Sequence, residues 1–553
     1  MTVFVVLVVV YGLTGARTIT GFGDSDELIA AGYNLALPHQ PGYPLMTALL
    51  FMTTRLPLAN PALLGHRLAG TVMALVVSVC VVVFYHFNRG KQWRVAVAVG
   101  LIIGGSGLVW RHGNHLEVFG LMGLFSITLL WGVLVLKKHW FWWGVVAGLG
   151  LGHHQLLLLT FVPQLLWVLV QQKRRFWPIM AGLGLGVVIT LVGIGLIGWR
   201  QHPDSWQIEV SVIGVVNYFL RSNYSGYSMG AGETLSAYVS AVDWVSVWHS
   251  WGFYLSRMWQ YWGWWNLAGL VGLFWGRKIY QGYWLILICF VTSGPVLAGY
   301  LTVNQPLIVE RMYVLSQFYW GLLIGFGLIL TRLKWVWLLM SVLWVMWMFP
   351  QQSLANYVIQ ERYIEGVFED LPDGAALICL SDASCFGSYY YQSVLGKRTD
   401  VLVLTNADQF RFGRKTAWAF GGFDYLDNPF RLGEAVGRAT FQGRPIYVTQ
   451  LSQVWITELG LNDQAFLAKP DGIFRWKIER PEVVNQVDCG NDSMCELRRL
   501  SFGVWREPNA IEPRLRLAEG FERYGLIDLA KRERLHVQLI GEGLSQFPGQ
   551  SLK

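Results

Sequence analysis

Residues Gly21 to Leu45 read GFGDSDELIAAGYNLALPHQPGYPL. Asp24, Asp26 and Glu27 fall within four positions, directly after a hydrophobic segment. An Ala-rich run with a helical reading follows from Ser25 to Leu37, broken at Pro38, and then a turn, His39-Gln40-Pro41-Gly42-Tyr43-Pro44. The apolar segment from Leu45 to Leu56, flanked by Pro44 and Pro57, is too short to cross a bilayer and suits a helix lying at the interface. D-x-x-E before such a run reads first as a capping box, with Asp24 accepting backbone N–H bonds and Glu27 reaching back. The same spacing places both carboxylates on one helix face. A partly desolvated carboxylate there can take a proton from a hydroxyl as general base.

Working outward, the rest of the chain explains where these acids sit. Only 14% of the 553 residues are charged and 54% are hydrophobic, which argues for many membrane spans. Spans are expected near 1–16, 66–87, 94–110, 117–136, 140–154, 155–171, 177–199, 253–275, 282–301, 312–331 and 335–350. The fifth and sixth form one hairpin if the chain breaks at Gly152-His153-His154. Basic clusters follow every second run: Arg89, Lys91 and Arg94; Lys137 and Lys138; Lys173 to Arg175; Arg277 and Lys278; Arg332 and Lys334. By the positive-inside rule those loops and the N-terminus are cytoplasmic. The loops 17–65 and 200–250, and everything after about residue 351, then face out. Read as a cleaved signal peptide, residues 1–16 lack the usual basic start, and Asp24 faces out in either case. The net charge of +8 is spread over short topogenic clusters, which excludes a nucleic-acid patch.

From about 351 the character changes. Ala375 to Leu380 and Val401 to Leu404 read as strands around a helix from Phe386 to Leu395, a βαβ unit, and Arg444 to Thr449 as a further strand. Residues 510–545 read as helical. Cys80 and Cys289 lie in apolar runs and read as buried small hydrophobes. Cys379, Cys385, Cys489 and Cys495 form an even set in an outward domain, which suggests disulfides with three connectivities open. The expected architecture is a polytopic α-helical membrane protein of about eleven transmembrane helices. A catalytic region over 1–350 precedes an extracytoplasmic α/β domain over 351–505 and a helical tail over 506–553.

D-x-x-E followed by an Ala-rich helix and H-x-P-G-x-P-L resembles the opening loop of the protein O-mannosyltransferase-like membrane proteins, in the GT-C class of integral-membrane glycosyltransferases. The resemblance continues at Glu117-Val118-Phe119-Gly120-Leu121, Gly150-Leu151-Gly152-His153-His154, Arg221-Ser222-Asn223-Tyr224-Ser225-Gly226 and Glu310-Arg311. It ends in Leu371-Pro372-x-Gly374-Ala375, Asp382 and Arg398-x-Asp400-Val401, so that it covers about residues 20 to 405. Two departures stand out. Asp26 occupies a position where the family has Gly, so Asp26-Glu27 also imitates the Asp-Glu of true protein O-mannosyltransferases, and residues 223–226 carry one extra residue.

The resemblance implies an inverting transfer from a polyprenyl-phosphate-linked sugar to an acceptor hydroxyl, on protein, lipid or glycan, with mannose among the candidate sugars. The base comes from Asp24, Asp26 and Glu27, with Asp24 favoured. Candidates for the donor phosphate or the substrate are His39, Arg111, His112, His115, Glu117, His153, His154, Arg221, Tyr224, Glu310 and Arg311. For Arg111, His112, His115, His153, His154, Arg221 and Arg311 the plainer reading is an interfacial residue contacting lipid headgroups. Glu310 and Arg311 also suit an internal ion pair, and His153-His154 suits helix packing. Asp382 is a candidate acceptor contact at a strand end, or an N-cap. The Trp residues between 244 and 275 read as interfacial anchors before sugar-stacking surfaces. The resemblance implies no required cofactor, although Asp24, Asp26, Glu27 and a His have the chemistry for Mg²⁺ or Mn²⁺. Short loops and a basic pI of about 9.1 favour a bacterial inner membrane. The rival readings are a transporter or lipid-linked-sugar flippase, which many spans alone permit, and a sensor whose outer domain binds a partner. The sensor leaves the acids of the first loop unexplained; transporters tend to place ionisable groups at mid-membrane within repeats, whereas here the charges sit at loop boundaries and no repeat is visible.

Overall fold

Apolar runs become helices because a backbone without water must satisfy its own hydrogen bonds. In the computed structural model the described residues are 1–87, 92–202, 205–206, 208–221, 244–278, 280, 282–301, 306–379, 381–405, 445–449, 467–471, 475–479 and isolated positions between 515 and 537. They divide into two units, Met1–Gln201 with Ile208–Tyr357, and His202–Gln207 with Val358–Lys553.

The first unit is helical. It contains α1 (Thr2–Thr14), α2 (Ser25–Asn34), α3 (Pro44–Thr54), α4 (Pro61–Phe87), α5 (Trp93–Gly104), α6 (Gly107–Asn114) and α7 (Phe119–Trp131). These are followed by α8 (Trp140–His153), α9 (Leu158–Gln171), α10 (Phe176–Gly198), α11 (Val212–Phe219), α12 (Trp244–Trp262) and α13 (Trp265–Trp275). The unit closes with α14 (Tyr283–Val291), α15 (Leu297–Tyr300), α16 (Pro306–Met312), α17 (Val314–Ile329) and α18 (Lys334–Gln352).

Among the described residues, the stretches Pro61–Phe87, Phe119–Leu136, Lys173–Gly198 and Tyr283–Tyr300 are long and apolar enough to cross a membrane. The bent pair α5–α6 makes a fifth; Thr2–Thr14, Gln155–Gln171, Trp265–Trp275 and Val314–Ile329 are shorter apolar helices, and α18, at 19 residues, is long enough but less apolar. Two of those expectations are corrected. The run expected at 94–110 breaks at Gly105-Ser106, and its halves diverge by 68°. There the Ser106 hydroxyl donates to the Ile103 carbonyl (2.9 Å), so that a side chain competes with the helical ladder. The run expected at 253–275 breaks at Gly263, whose φ of +49° ends α12 in the left-handed region that glycine tolerates best.

Polar ties between helices fix the bundle. The Tyr11 hydroxyl donates to the Gly104 carbonyl (2.8 Å), and Thr14 bonds Asn114 (2.8 Å) while accepting from the Trp110 indole (2.9 Å). Deeper in, Ser126, Thr160, Tyr319 and Gln164 share a buried network between α7, α9 and α17. Every residue of α17 from Val314 to Leu328 is buried, which makes it the central post of this unit. Helices α8 and α10 approach backbone to backbone at Gly144, Gly148, Gly182 and Gly186, where a β-carbon on one helix would strike the main chain of the other. Cys80 and Cys289 are buried thiols, as their apolar surroundings imply.

The second unit contains α19 (Ile359–Phe368), β1 (Ala376–Cys379), α20 (Asp382–Ser393), β2 (Leu402–Thr405), β3 (Ile446–Val448), β4 (Leu467–Asp471) and β5 (Arg475–Glu479). The sheet order is β2-β1-β3-β5-β4, with β1 parallel to β2 and β3. Arg398 joins the β1 and β2 ends, donating to Asp400 (3.0 Å) and to the carbonyls of Phe368 (2.9 Å) and Leu371 (2.8 Å). A disulfide links Cys379 to Cys385; Cys489 and Cys495 lie outside the described residues. The N-cap of α20 is Ser381 and not Asp382. Ser381 forms a capping box with Ser384, because an extended residue directly before the helix aims its short hydroxyl at the third N–H.

Candidate active site

The loop between α1 and α2 turns twice through left-handed glycines, Gly21 (φ +65°) and Gly23 (φ +54°). Asp26, almost fully buried, pins this turn by accepting the backbone N–H groups of Thr20 (3.0 Å) and Gly21 (3.1 Å). Gly23 lets the chain press against the α6–α7 link and α16, since a β-carbon there would overlap the Glu117 carboxylate and the Arg311 guanidinium. Asp24 follows as the N-cap residue of α2.

The capping box expected here is not formed. Asp24 makes no side-chain cap bond. Glu27, fully buried, turns both oxygens to His39, accepting its backbone N–H (2.8 Å) and facing Nδ1 (2.5 Å). The reason is tertiary: twelve residues on, the turn at Pro38–Pro44 delivers a buried imidazole that can satisfy the carboxylate in place of the helix end. Tyr218 steadies this turn by donating its hydroxyl to the Pro38 carbonyl (2.6 Å).

His39 is consequently fixed between acids. With Nδ1 on Glu27, its Nε2 faces the Tyr43 hydroxyl (3.3 Å) and Asp24 Oδ2 (3.7 Å). Burial lowers the imidazole's affinity for a proton, but Glu27 and then Asp24 outweigh it and raise its pKa to about 9. Asp24 Oδ2 also lies 3.5 Å from Arg311 Nη1. Burial pushes its carboxyl up; Arg311, His39 and Arg221 together hold it below the ordinary aspartate value. At neutral pH Asp24 is therefore an ionised carboxylate on a half-buried shelf, backed by an imidazolium.

Glu117 completes the cluster from the short link between α6 and α7. Its Oε1 accepts from Arg311 Nη1 (3.2 Å) and from the Asp24 backbone N–H (3.4 Å). Its Oε2 is buried and makes no hydrogen bond among the described residues. Burial raises its pKa to about 7 against Arg311, and Asp24 adds to the rise. The Arg311 guanidinium rests 5.7 Å above the Phe119 ring.

The neighbouring Glu310 faces a different pair. It lies 3.2 Å from Arg111 Nη1 and 3.9 Å from Arg257 Nε. Glu310 and Arg311 thus do not pair with each other, because consecutive helical residues point about 100° apart. Arg257 carried no motif and was missed in the sequence; its signal, an Arg one turn after Phe253 in a Trp-rich helix, is weak.

The remaining candidates divide. His153 bonds the Val118 carbonyl (2.9 Å), and His154 accepts the Leu156 N–H (3.2 Å), so both hold backbone at the α7 and α9 starts. Their rings nevertheless flank Tyr43 at 5.5 and 6.5 Å. His112 packs between His115 (5.7 Å) and Phe119 (5.4 Å), and neither of its ring nitrogens is hydrogen-bonded among the described residues. Arg221 lies near enough to act on Asp24 and His39. Asp382 belongs to the second unit, and Tyr224 lies outside the described residues. Asp26 faces the Thr20–Gly21 backbone, so the three acids do not converge, and among the described residues no group of three His, Cys, Asp or Glu is arranged to hold a metal. His66 was also missed: it accepts the Leu116 N–H (3.0 Å) and donates to the Thr18 carbonyl (2.9 Å), tying the first loop to the α6–α7 link.

Residues 24–177, which include Asp24, Glu27, His39 and Glu117, match the protein O-mannosyl-transferase TMEM260 N-terminal domain. The chain shows this similarity over less than half of its length. It is 27% identical over 261 residues to protein O-mannosyl-transferase TMEM260 of Mus musculus, covering 43% of this chain and 36% of the relative. The Dictyostelium discoideum protein of that name is 21% identical over 258 residues, 42% of this chain and 31% of its own length. The chain thus spans about a third of the length of these curated relatives. Among solved structures, ArnT from Cupriavidus metallidurans bound to undecaprenyl phosphate superposes with a TM-score of 0.55 at 12% identity, over 86% of this chain and 97% of that one. Its apo state gives 0.54. At this identity the likeness is one of fold alone.

Proposed function

We propose that this protein is an inverting membrane glycosyltransferase that moves a sugar from a polyprenyl-phosphate-linked donor to a hydroxyl, on protein in the first instance, outside the cytoplasm. In this reading the first loop and the α/β unit face out, Asp24 is the general base, and no metal is required. The observation that supports it best is the convergence of Asp24, Glu117 and Arg311 from three separate segments, with His39 behind Asp24. The chemistry needs two functions side by side. One group must take the acceptor's proton as its oxygen attacks the anomeric carbon, and a cation must receive the charge that collects on the departing phosphate. Asp24 is ionised and half-buried, and suits the first role. Arg311 is already committed to the same cluster and, with Arg221, suits the second. His39 keeps Asp24 charged, and Glu27 keeps His39 oriented. The family likeness and the undecaprenyl phosphate named with ArnT make a lipid-phosphate donor and a protein acceptor the first pair to try.

The test is transfer of labelled mannose from polyprenyl-phosphate mannose to a hydroxyl-bearing peptide by the full-length protein in nanodiscs. Asp24→Asn is expected to lower kcat by about 10²- to 10⁴-fold while leaving thermal stability near that of the parent. Full activity in Asp24→Asn, Asp26→Asn and Glu27→Gln alike would sink the assignment.

A further inference from the structure

The carboxyl of Glu117 is used on one oxygen only. Oε1 accepts two donors, Arg311 Nη1 at 3.2 Å and the Asp24 N–H at 3.4 Å. Oε2 is enclosed, without a hydrogen bond among the described residues. An ionised carboxylate left this way strands half its charge in a buried place, which is costly. A protonated one fits better, with Oε1 as the carbonyl oxygen accepting both donors and Oε2 carrying the hydrogen, ready to donate. The charged groups that face it are Arg311 from α16 and Asp24 from the first loop, with His39 and Arg221 acting on Asp24 from behind. Two carboxyls sharing one arginine, one held ionised and one held protonated, form the kind of pair in which environment divides base from acid.

Resting on the transferase reading above, we infer that Glu117 is the acid of this site and passes the proton on Oε2 to the oxygen of the leaving lipid phosphate. The acceptor oxygen forms its bond to the anomeric carbon, and its proton goes to Asp24. The anomeric carbon–oxygen bond to phosphate breaks, and its electron pair stays on that oxygen, which takes the Glu117 proton. The polyprenyl phosphate leaves as a monoanion, with Asp24 now protonated and Glu117 ionised beside Arg311. Loss of a proton from Asp24 and gain of one by Glu117 restore the starting state, so the turnover releases no net proton. Because the Glu117 carboxyl titrates near 7, the active form is lost as pH rises through that value.

The experiment measures kcat against pH from 5.5 to 9 for the full-length protein in nanodiscs, with polyprenyl-phosphate mannose and an acceptor peptide. In the parent protein kcat falls about tenfold per unit above a break near 7. Glu117→Gln lowers kcat by about 10²- to 10⁴-fold, removes that break, and leaves the donor KM within about threefold. Glu117→Asp keeps the break and recovers part of the rate. Infrared titration of the resting protein supplies a readout independent of activity: a carboxylic-acid band that disappears near pH 7 and is absent in Glu117→Gln. The inference is overturned by a parent profile flat across 6–8.5, by Glu117→Gln retaining the break, or by the absence of the infrared band. Asp24→Asn, Asp26→Asn and Glu27→Gln, run alongside, separate the two levels: full activity in all three overturns the transferase site itself, whereas an inactive Asp24→Asn beside a Glu117→Gln that behaves like the parent overturns only the acid.

Discussion

Gly23 carries a demand out of proportion to its size. Its φ of +54° is strained for any side chain, and a β-carbon would sit on the Glu117 carboxylate and the Arg311 guanidinium. Gly23→Ala is therefore expected to separate Asp24 from Arg311 and to cut transfer at least about tenfold, for a backbone cost of only about 1–2 kcal/mol. Wild-type kcat in that variant, measured beside its melting temperature, would show that the close approach is dispensable. His39 makes a second prediction. Its pKa is raised to about 9, so the stability that its pairing with Glu27 and Asp24 contributes is fully present below its ordinary value near 6.5 and is lost as pH rises through 9. The melting temperature should fall over that window, and Glu27→Gln should flatten the fall. An unchanged slope in Glu27→Gln would remove Glu27 as the cause. Sequence showed the acids and this histidine but paired them wrongly. A capping box is a local rule, and here a residue twelve positions away outcompetes the helix end for Glu27.

At the scale of elements, the apolar runs were legible because twenty hydrophobic residues have few alternatives to a helix. Their breaks were not. Gly105-Ser106 reads like any small pair in a membrane helix, yet it bends the α5–α6 pair by 68° and allows α6 to bring Arg111 against Glu310 of α16 and Asn114 against Thr14 at the end of α1. Gly263 reads as one of many glycines, and only its left-handed φ separates α12 from α13. Hydropathy is averaged over a window, whereas a kink is decided by one or two backbone torsions, which leave little trace in that average. The βαβ pattern after residue 375 was visible because strand, helix and strand each have their own period. The exchange of cap from Asp382 to Ser381 was a matter of one position, which propensity does not resolve.

At the scale of the whole molecule, α16 ties distant parts of the first unit together in a space of two residues. Arg311 holds the loop before α2 and the start of α7, while Glu310 holds α6 and α12. Motifs some 290 positions apart in the chain meet there, which no reading of single stretches could show. The consequence is reciprocity: a short rigid element gripped on two sides transmits a load in either direction. Whatever pulls on Arg111 or Arg257 must be felt at Asp24, and a ligand that reorganises Asp24 must alter how firmly α12 is held. A double-mutant cycle of Glu310→Gln with Asp24→Asn, read as thermal stability, should show a coupling of about 0.5–3 kcal/mol although the two side chains do not touch. Strict additivity would mean that the two halves of this helix act as strangers.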